Sequence, residues 1–221
     1  MNDPSPSSEK RHLFYLLFWP AFGLRYLIIE QYHPARGYYP VSCLLDEWIP
    51  FQEVFLIPYF LWHLCIIGMH LWLCFRDVPV FRRYSQYLIV SMSISTAIFL
   101  LFPTCQNLRP EVFARDNFLT ELMAWFYTTD TSTNVCPSLH VCGSLAAAFG
   151  LMDTKRFSAP GRRAIMAVAM TICLSTVFVK QHSILDMLWG FGFSGLAWMA
   201  VYGEKTSEFF RIPFLASRPM A

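Results

Sequence analysis

The chain has 221 residues, of which 55% are hydrophobic and 17% aromatic, whereas only 14% are charged. Its mean hydropathy of +0.40 lies well above that of an ordinary soluble domain. The formal net charge of +2, without a dense basic run, disfavours a nucleic-acid partner. We therefore expect a single domain embedded in a membrane.

Apolar stretches that can cross a bilayer, for which about 20 residues suffice, recur six times along the chain. They predict an all-α integral membrane bundle of six helices over residues 13–203. Residues 1–12 are predicted to be a disordered cytoplasmic tail, and residues 204–221 a second cytoplasmic tail. Because no small-residue cleavage site follows the first stretch, we interpret it as a retained helix. The predicted spans are residues 13–29, 51–75, 84–103, 137–152, 164–181 and 183–203.

Two of these spans have features that bear on function. The first contains Arg25, and an arginine at that depth is expected to face the bundle interior or to extend towards a surface. The fourth would be only about 24 Å long at 1.5 Å per residue. We therefore expect its polar end to be recessed in the protein, where it would form a pocket.

The distribution of lysine and arginine predicts the orientation, because short loops rich in these residues stay cytoplasmic. With the amino terminus inside, the inner segments hold twelve of the 17 cations and the outer segments four, while Arg25 lies within a span. Both termini are therefore predicted to be cytoplasmic, and His140 and His182 to lie on the extracytoplasmic side. The four outer cations are Arg36, Arg109, Arg115 and Lys180.

One long polar connection, residues 104–136, joins the third and fourth spans on the outer side. Long connections of this kind are often functional, and this one leads directly into Pro137. Cys105 and Cys136 flank it and would be able to pair if that face is oxidising. The seven cysteines form no C-x-x-C pair, which disfavours a zinc ribbon or a redox dithiol.

The fourth predicted span begins with the residues Pro137-Ser138-Leu139-His140. Proline suits the first turn of a helix, where free backbone N–H groups and the positive end of the helix dipole favour an anion. A phosphate held there would lie within reach of His140. Cys142 follows about 200° round a helix, so the two side chains diverge, and we predict no metal site and no cofactor.

The sixth predicted span begins near His182, and Asp186 follows four residues later. On a helix the two side chains share one face, so the carboxylate can accept the ring N–H of the histidine. That contact fixes the tautomer and leaves the other nitrogen free as a nucleophile or base. Arg109 and Lys180, on the same side, are candidates to neutralise a phosphate and the charge that it gains during transfer.

These residues resemble the motifs of the type 2 phosphatidic acid phosphatase superfamily, which includes the lipid phosphate phosphatases and whose members share a six-helix membrane core. The family pattern is Lys-x6-Arg-Pro, then Pro-Ser-Gly-His, then Ser-Arg-x5-His-x3-Asp. The matching residues are Arg109-Pro110, then Pro137-Ser138-Leu139-His140, and then Ser175, His182 and Asp186 at the family spacing.

The resemblance implies a lipid phosphate substrate and a reaction that passes through a phospho-histidine. It covers residues 100–190, which would be the catalytic half of the chain. It also implies a role for each matched residue. These roles are phosphate binding by Arg109, Ser138 and Leu139, attack on phosphorus by His182, orientation of that ring by Asp186, and protonation of the leaving group by His140.

Two positions depart from the family pattern. Phe102 stands where the first motif has lysine, and Thr176 where the third has arginine. Lys180 lies four residues beyond Thr176, so we expect it on the same helical face, where it would supply the missing charge. With Leu139 in the second motif and fewer cations in the first and third motifs, the chain is more similar to the branch that includes inositol phosphorylceramide synthase and sphingomyelin synthase. That branch moves a phospho-headgroup between lipids.

Three functions therefore stay open. The first is hydrolysis of a lipid phosphate. The second is transfer of its phospho-headgroup to a lipid or polyol acceptor, since both water and an alcohol can resolve a phospho-histidine. The third is a non-catalytic, transporter-like protein in which buried histidine and aspartate form a proton relay. The inverted repeat that is typical of many transporters is not visible in the sequence.

Overall fold

The computed structural model describes residues 11–203, so the predicted tail segments 1–10 and 204–221 lie outside the described residues. The described part is mostly helical, which confirms the all-α prediction. Two short strands, β1 (Tyr39–Pro40) and β2 (Thr104–Cys105), pair in parallel. The helices are α1 (Phe18–Glu30), α2 (Leu44–Trp48), α3 (Leu56–Arg76), α4 (Val78–Leu101), α5 (Phe118–Thr129), α6 (Leu139–Asp153), α7 (Ala159–Phe178) and α8 (Ile184–Tyr202).

Five helical segments are long and apolar enough to cross a membrane, which indicates a multi-pass membrane protein. Two of them include a short 3-10 helix, Arg11–Leu17 before α1 and Glu53–Phe55 before α3. Arg11 and His12 therefore belong to the first helical segment and not to the predicted tail. Helix α6 is apolar but has only 15 residues. The five segments are Arg11–Glu30, Glu53–Arg76, Val78–Leu101, Ala159–Phe178 and Ile184–Tyr202.

Side-chain caps explain where the structure departs from the predicted boundaries. Helix α4 begins six residues before the predicted start, because the Asp77 carboxylate accepts the backbone N–H of Val80 at 3.3 Å. The predicted polar connection 104–136 contains a helix of its own, α5. Asn117 begins it with a capping box, in which its side chain accepts from the backbone while the Thr120 hydroxyl accepts the N–H of Asn117 at 3.0 Å.

Helix α6 lies at the centre of the bundle and contacts α3, α4, α7 and α8. Small residues allow this close approach, as is usual for helices in membranes. A Cβ atom on Gly143 would lie 2.6 Å from the indole nitrogen of Trp62 in α3, and one on Gly190 would lie 2.9 Å from Cβ of Val141. Any larger residue at these two glycines would therefore push α3 or α8 away from α6.

The helices run alternately up and down, so their ends gather in two groups. Helices α3, α6 and α8 begin, and α1, α4 and α7 end, at the same end of the bundle, which we call the site end. At the opposite end, Arg83 in α4 and Asp153 in α6 form an ion pair at 2.5 Å. The site end therefore collects the starts of α6 and α8, which carry the motif histidines.

Candidate active site

A cavity of about 540 Å³ opens at the site end between α1, α3, the start of α6 and residues 129–135. Aromatic and aliphatic side chains of α1, α3 and α4 line one part of it, including Phe22, Ile66 and Phe99. The other part is polar. Its acidic, basic and histidine residues are Arg25, Glu30, His63, Asp130, His140 and His182. We call this space the histidine cavity.

His140 lies in the first turn of α6, as the sequence predicts. Its ring stacks on Tyr59 with a centroid distance of 4.3 Å, and it lies 4.4 Å from the Trp62 ring. Its Nε2 atom is buried and, among the described residues, has no hydrogen-bond partner. Aromatic contacts thus fix the ring, and one of its nitrogens is left without a hydrogen-bond partner among the described residues.

His182 lies 5.8 Å from His140 between ring centroids, so the structure brings the two motif histidines together. Its Nδ1 faces Asp186 Oδ2 at 3.4 Å, which is long for a hydrogen bond. Catalytic hydrogen bonds are often this loose without substrate. His182 precedes α8, whose cap is Ser183, so the contact forms across a helix entrance and not along a helical face as predicted.

Two further bonds order the start of α8, and the second of them joins it to α6. The N–H of Ser183 donates to Asp186 Oδ2 at 2.9 Å, which completes a capping box. The N–H of Ser138 donates to the carbonyl of Asp186 at 3.1 Å. Ser138 is fully buried, whereas Leu139 lines the histidine cavity. The two helix entrances are therefore coupled through backbone contacts.

Asp46 in α2 is a further residue of this site, although its place near the second predicted span is more typical of a solvated carboxylate. Its buried carboxylate accepts from the hydroxyl of Ser183 at 2.6 Å and from the N–H groups of Ile184 and Cys43, each at 2.8 Å. Burial acts to raise the pKa of Asp46, but these hydrogen bonds outweigh it and the pKa is lowered. Nothing in the sequence pattern separates Asp46 from Glu47, which is exposed.

Arg109 lies behind the cavity wall and does not line the cavity. Its guanidinium donates to the carbonyls of Tyr127, Asp130 and Thr131 at 2.9 to 3.1 Å, and to Gln181 Oε1 at 2.6 Å. Burial lowers the pKa of Arg109, and the charge of Asp130 opposes this effect. Arg109 therefore holds the wall segment in place, and phosphate binding by Arg109 stays a prediction.

Lys180 is also outside the cavity lining, and the expectation that it shares a helical face with Thr176 is wrong. Helix α7 ends at Phe178, and Lys180 has a φ of 55°, which ends the helical path. Its ammonium group donates to the carbonyl of Asp46 at 2.6 Å. Burial lowers the pKa of Lys180, whereas the charge of Asp46 raises it. Its phosphate-binding role likewise stays a prediction.

The two positions that depart from the family pattern do not line the histidine cavity. Phe102 is 61% exposed at the end of α4. Thr176 is fully buried, and its carbonyl accepts the backbone N–H groups of Gln181 and His182 at 3.0 and 3.1 Å. Thr176 therefore positions His182, the histidine of the third motif.

Cys105 and Cys136 are both free thiols in the structure. Burial, together with the charge of Asp186 and a hydrogen bond to it, raises the pKa of Cys136 to about 12. A disulfide under oxidising conditions stays a prediction. Within residues 11–203, no group of three or more histidine, cysteine, aspartate or glutamate side chains is arranged to hold a metal ion.

The polar lining of the histidine cavity also includes Glu30, His63, Asp130 and Asn134, to which the sequence analysis assigned no role in the site. Asn134 is buried, has a φ of 53°, and neither atom of its side-chain amide has a partner among the described residues. The only available signal was its place just before the second motif. Comparison of the chain with models of known protein families, with curated proteins and with solved structures finds no match.

Proposed function

We propose that the protein is a membrane enzyme, similar to the type 2 phosphatidic acid phosphatases, that hydrolyses or transfers the phosphoryl group of a lipid phosphate. One observation carries the proposal. Two motif histidines face each other in one cavity, with ring centroids 5.8 Å apart, and a buried carboxylate lies behind one of them. An apolar cavity wall beside these polar groups suits a lipid substrate.

The reaction would proceed in two steps. In the first, Nε2 of His182 attacks phosphorus, the bond from phosphorus to the leaving oxygen breaks, and His140 gives that oxygen a proton. In the second, water or an alcohol attacks phosphorus, its proton passes to His140, and the bond from phosphorus to nitrogen breaks. Asp186 stabilises the charge on His182 throughout. The net reaction consumes one water or one acceptor alcohol.

Transfer to an acceptor is the second candidate function. It is favoured by Phe102 and Thr176, which stand where the family motifs have a lysine and an arginine. In this respect the chain is more similar to the transferase branch. Hydrolysis and transfer share the first step. They differ only in which nucleophile reaches the phospho-histidine.

An assay of products separates these functions. We expect the purified protein in detergent micelles to convert phosphatidic acid with or without added ceramide, diacylglycerol or inositol, and orthovanadate to inhibit it. Free phosphate would identify hydrolysis. A phosphorylated acceptor would identify transfer, which means ceramide phosphate, inositol phosphate or a phosphatidic acid with the acyl chains of the added diacylglycerol. Absence of both products, with no effect of vanadate, would exclude both and favour the transporter-like alternative.

The proposal includes a six-span topology, with α6 as the short fourth span, both termini cytoplasmic and the histidine cavity on the extracytoplasmic side. The alternation of the helices supports it. Cations cluster at the end opposite to the site end, at Arg76, Arg82, Arg83, Lys155 and Arg156. Cytoplasmic loops are enriched in such residues.

Cysteine labelling tests this orientation. Asn107 and Arg82 are exposed at opposite ends of the bundle. In intact cells we expect Asn107→Cys to react with an impermeant maleimide, and Arg82→Cys to react only after the membrane is opened. The unmodified chain gives the background from its native thiols. Labelling of Arg82→Cys alone in intact cells would reverse the orientation.

A further inference from the structure

A phosphate at His182 needs a cation close to its oxygens, and the histidine cavity supplies one. Among the described residues that line the cavity, Arg25 of α1 is the only lysine or arginine. Arg109 and Lys180 lie outside the lining and donate to protein carbonyls. We propose that Arg25 binds the phosphate of the substrate, an inference that rests on the function proposed above.

The contacts of Arg25 leave its charge without a protein anion. Its Nη1 donates to the Thr96 hydroxyl at 2.5 Å and to the Met92 carbonyl at 3.4 Å, both of which are neutral. Its Nε is buried and has no partner among residues 11–203. Within that range, no carboxylate forms an ion pair with Arg25. A cation inside a spanning helix is costly without a partner, and such residues mark ligand sites.

The two carboxylates of the cavity have donors other than Arg25. Asp130 accepts from the Tyr26 hydroxyl at 2.7 Å, and Glu30 accepts from the Thr131 hydroxyl at 2.7 Å. Arg109 lies behind Asp130 and donates to its carbonyl at 2.9 Å. The carboxylates are thus bound by neutral donors, and the groups in contact with Arg25, which also include the Phe22 ring at 4.2 Å, are neutral as well.

Arg25 and His140 line different walls of the cavity. Thr96, which holds Arg25, lies five residues before the end of α4, or about 7.5 Å at 1.5 Å per residue. Tyr59 and Trp62, which flank the His140 ring, lie three and six residues after the start of α3, or about 5 and 9 Å. The side chains that contact Arg25 and His140 thus lie within about two turns of the ends of α4 and α3, and both residues line one cavity.

Binding of orthovanadate to the full chain in detergent micelles, measured by calorimetry, tests the proposal. We expect Arg25→Gln to bind vanadate about 10- to 100-fold more weakly, as for loss of one hydrogen-bonded charge. Arg25→Lys should restore most of this affinity. Arg36→Gln, at an exposed cation of the site end, should bind like the wild type.

A second measurement uses the wild type and does not depend on whether a variant folds. Phenylglyoxal modifies accessible arginines, and we expect vanadate to protect Arg25 from it, as read by mass spectrometry of the peptide. Unchanged vanadate affinity in Arg25→Gln, or no protection of Arg25, would overturn the proposal. Vanadate binding through Arg25 without turnover of any lipid phosphate would instead refute the proposed function and leave the role of Arg25 as an anion ligand.

Discussion

Replacement of His182 by alanine is expected to abolish turnover of phosphatidic acid, with a loss of at least about a thousandfold, as when other enzymes lose their nucleophile. The physical reason is that no other described side chain both faces His140 and has a carboxylate behind it. Release of phosphate or formation of a phosphorylated acceptor measures the effect. Circular dichroism and size-exclusion chromatography show whether the variant is folded.

His33 provides the matched control for this substitution, because it is an exposed histidine of the loop after α1. His33→Ala should keep wild-type activity. With radiolabelled phosphatidic acid, the wild type should also trap a phosphoprotein that is labile in acid and stable in alkali, as a phospho-histidine is. A folded His182→Ala protein that retains a tenth of the activity, or that traps the same label, would sink the proposed mechanism.

Replacement of Asp46 by alanine is expected to lower both stability and activity. Its carboxylate accepts hydrogen bonds from Ser183, Ile184 and Cys43 while fully buried. Hydrogen bonds to charged groups contribute about 1.5–3 kcal/mol each and are not additive, so we expect a loss of at least about 2 kcal/mol. Because Ser183 adjoins His182, kcat should fall about tenfold or more. Thermal unfolding in detergent and the product assay measure both effects.

Acid should remove this stabilisation. The pKa of Asp46 in the folded protein is lowered from its ordinary value of 3.8. A group of this kind stabilises the fold above its unfolded pKa, and the stabilisation is lost as pH falls through the folded pKa. The stability difference between wild type and Asp46→Ala should therefore be full at neutral pH and shrink below about pH 4. Glu47→Gln, at the exposed neighbour, should unfold like wild type, and equal losses in both variants would contradict the assigned contacts.

Local sequence signals predicted much of the fold. Continuous apolar runs identified the five long helices, because burial in lipid or protein needs no particular periodicity. The capping residues Asp77 and Ser158 are visible in the sequence. However, the predicted spans were bounded by hydropathy, and the caps begin α4 and α7 earlier than those bounds. Helix α5 was missed because its polar surroundings resemble a loop, although Asn117 and Thr120 have capping-box spacing.

The site was predicted only where its residues are close in sequence. His182 and Asp186 are four apart, and Ser138 and His140 share one turn, so short motifs found them. Asp46 reaches α8 across 137 residues, and Arg25 reaches α4 across 71. Contacts over such separations depend on how the helices assemble, and one sequence does not encode that assembly in any local pattern.

The weak burial of α1 has a consequence for how a bulky molecule gets in and out. Ile29 is its only buried residue within the described helix, whereas α6 is buried along most of its length. Since local opening costs least where few side chains are buried, α1 is the wall of the cavity that is easiest to displace. Its displacement would join the cavity to the hydrocarbon of the bilayer, so that a long-chain molecule could exchange sideways without its tails crossing water.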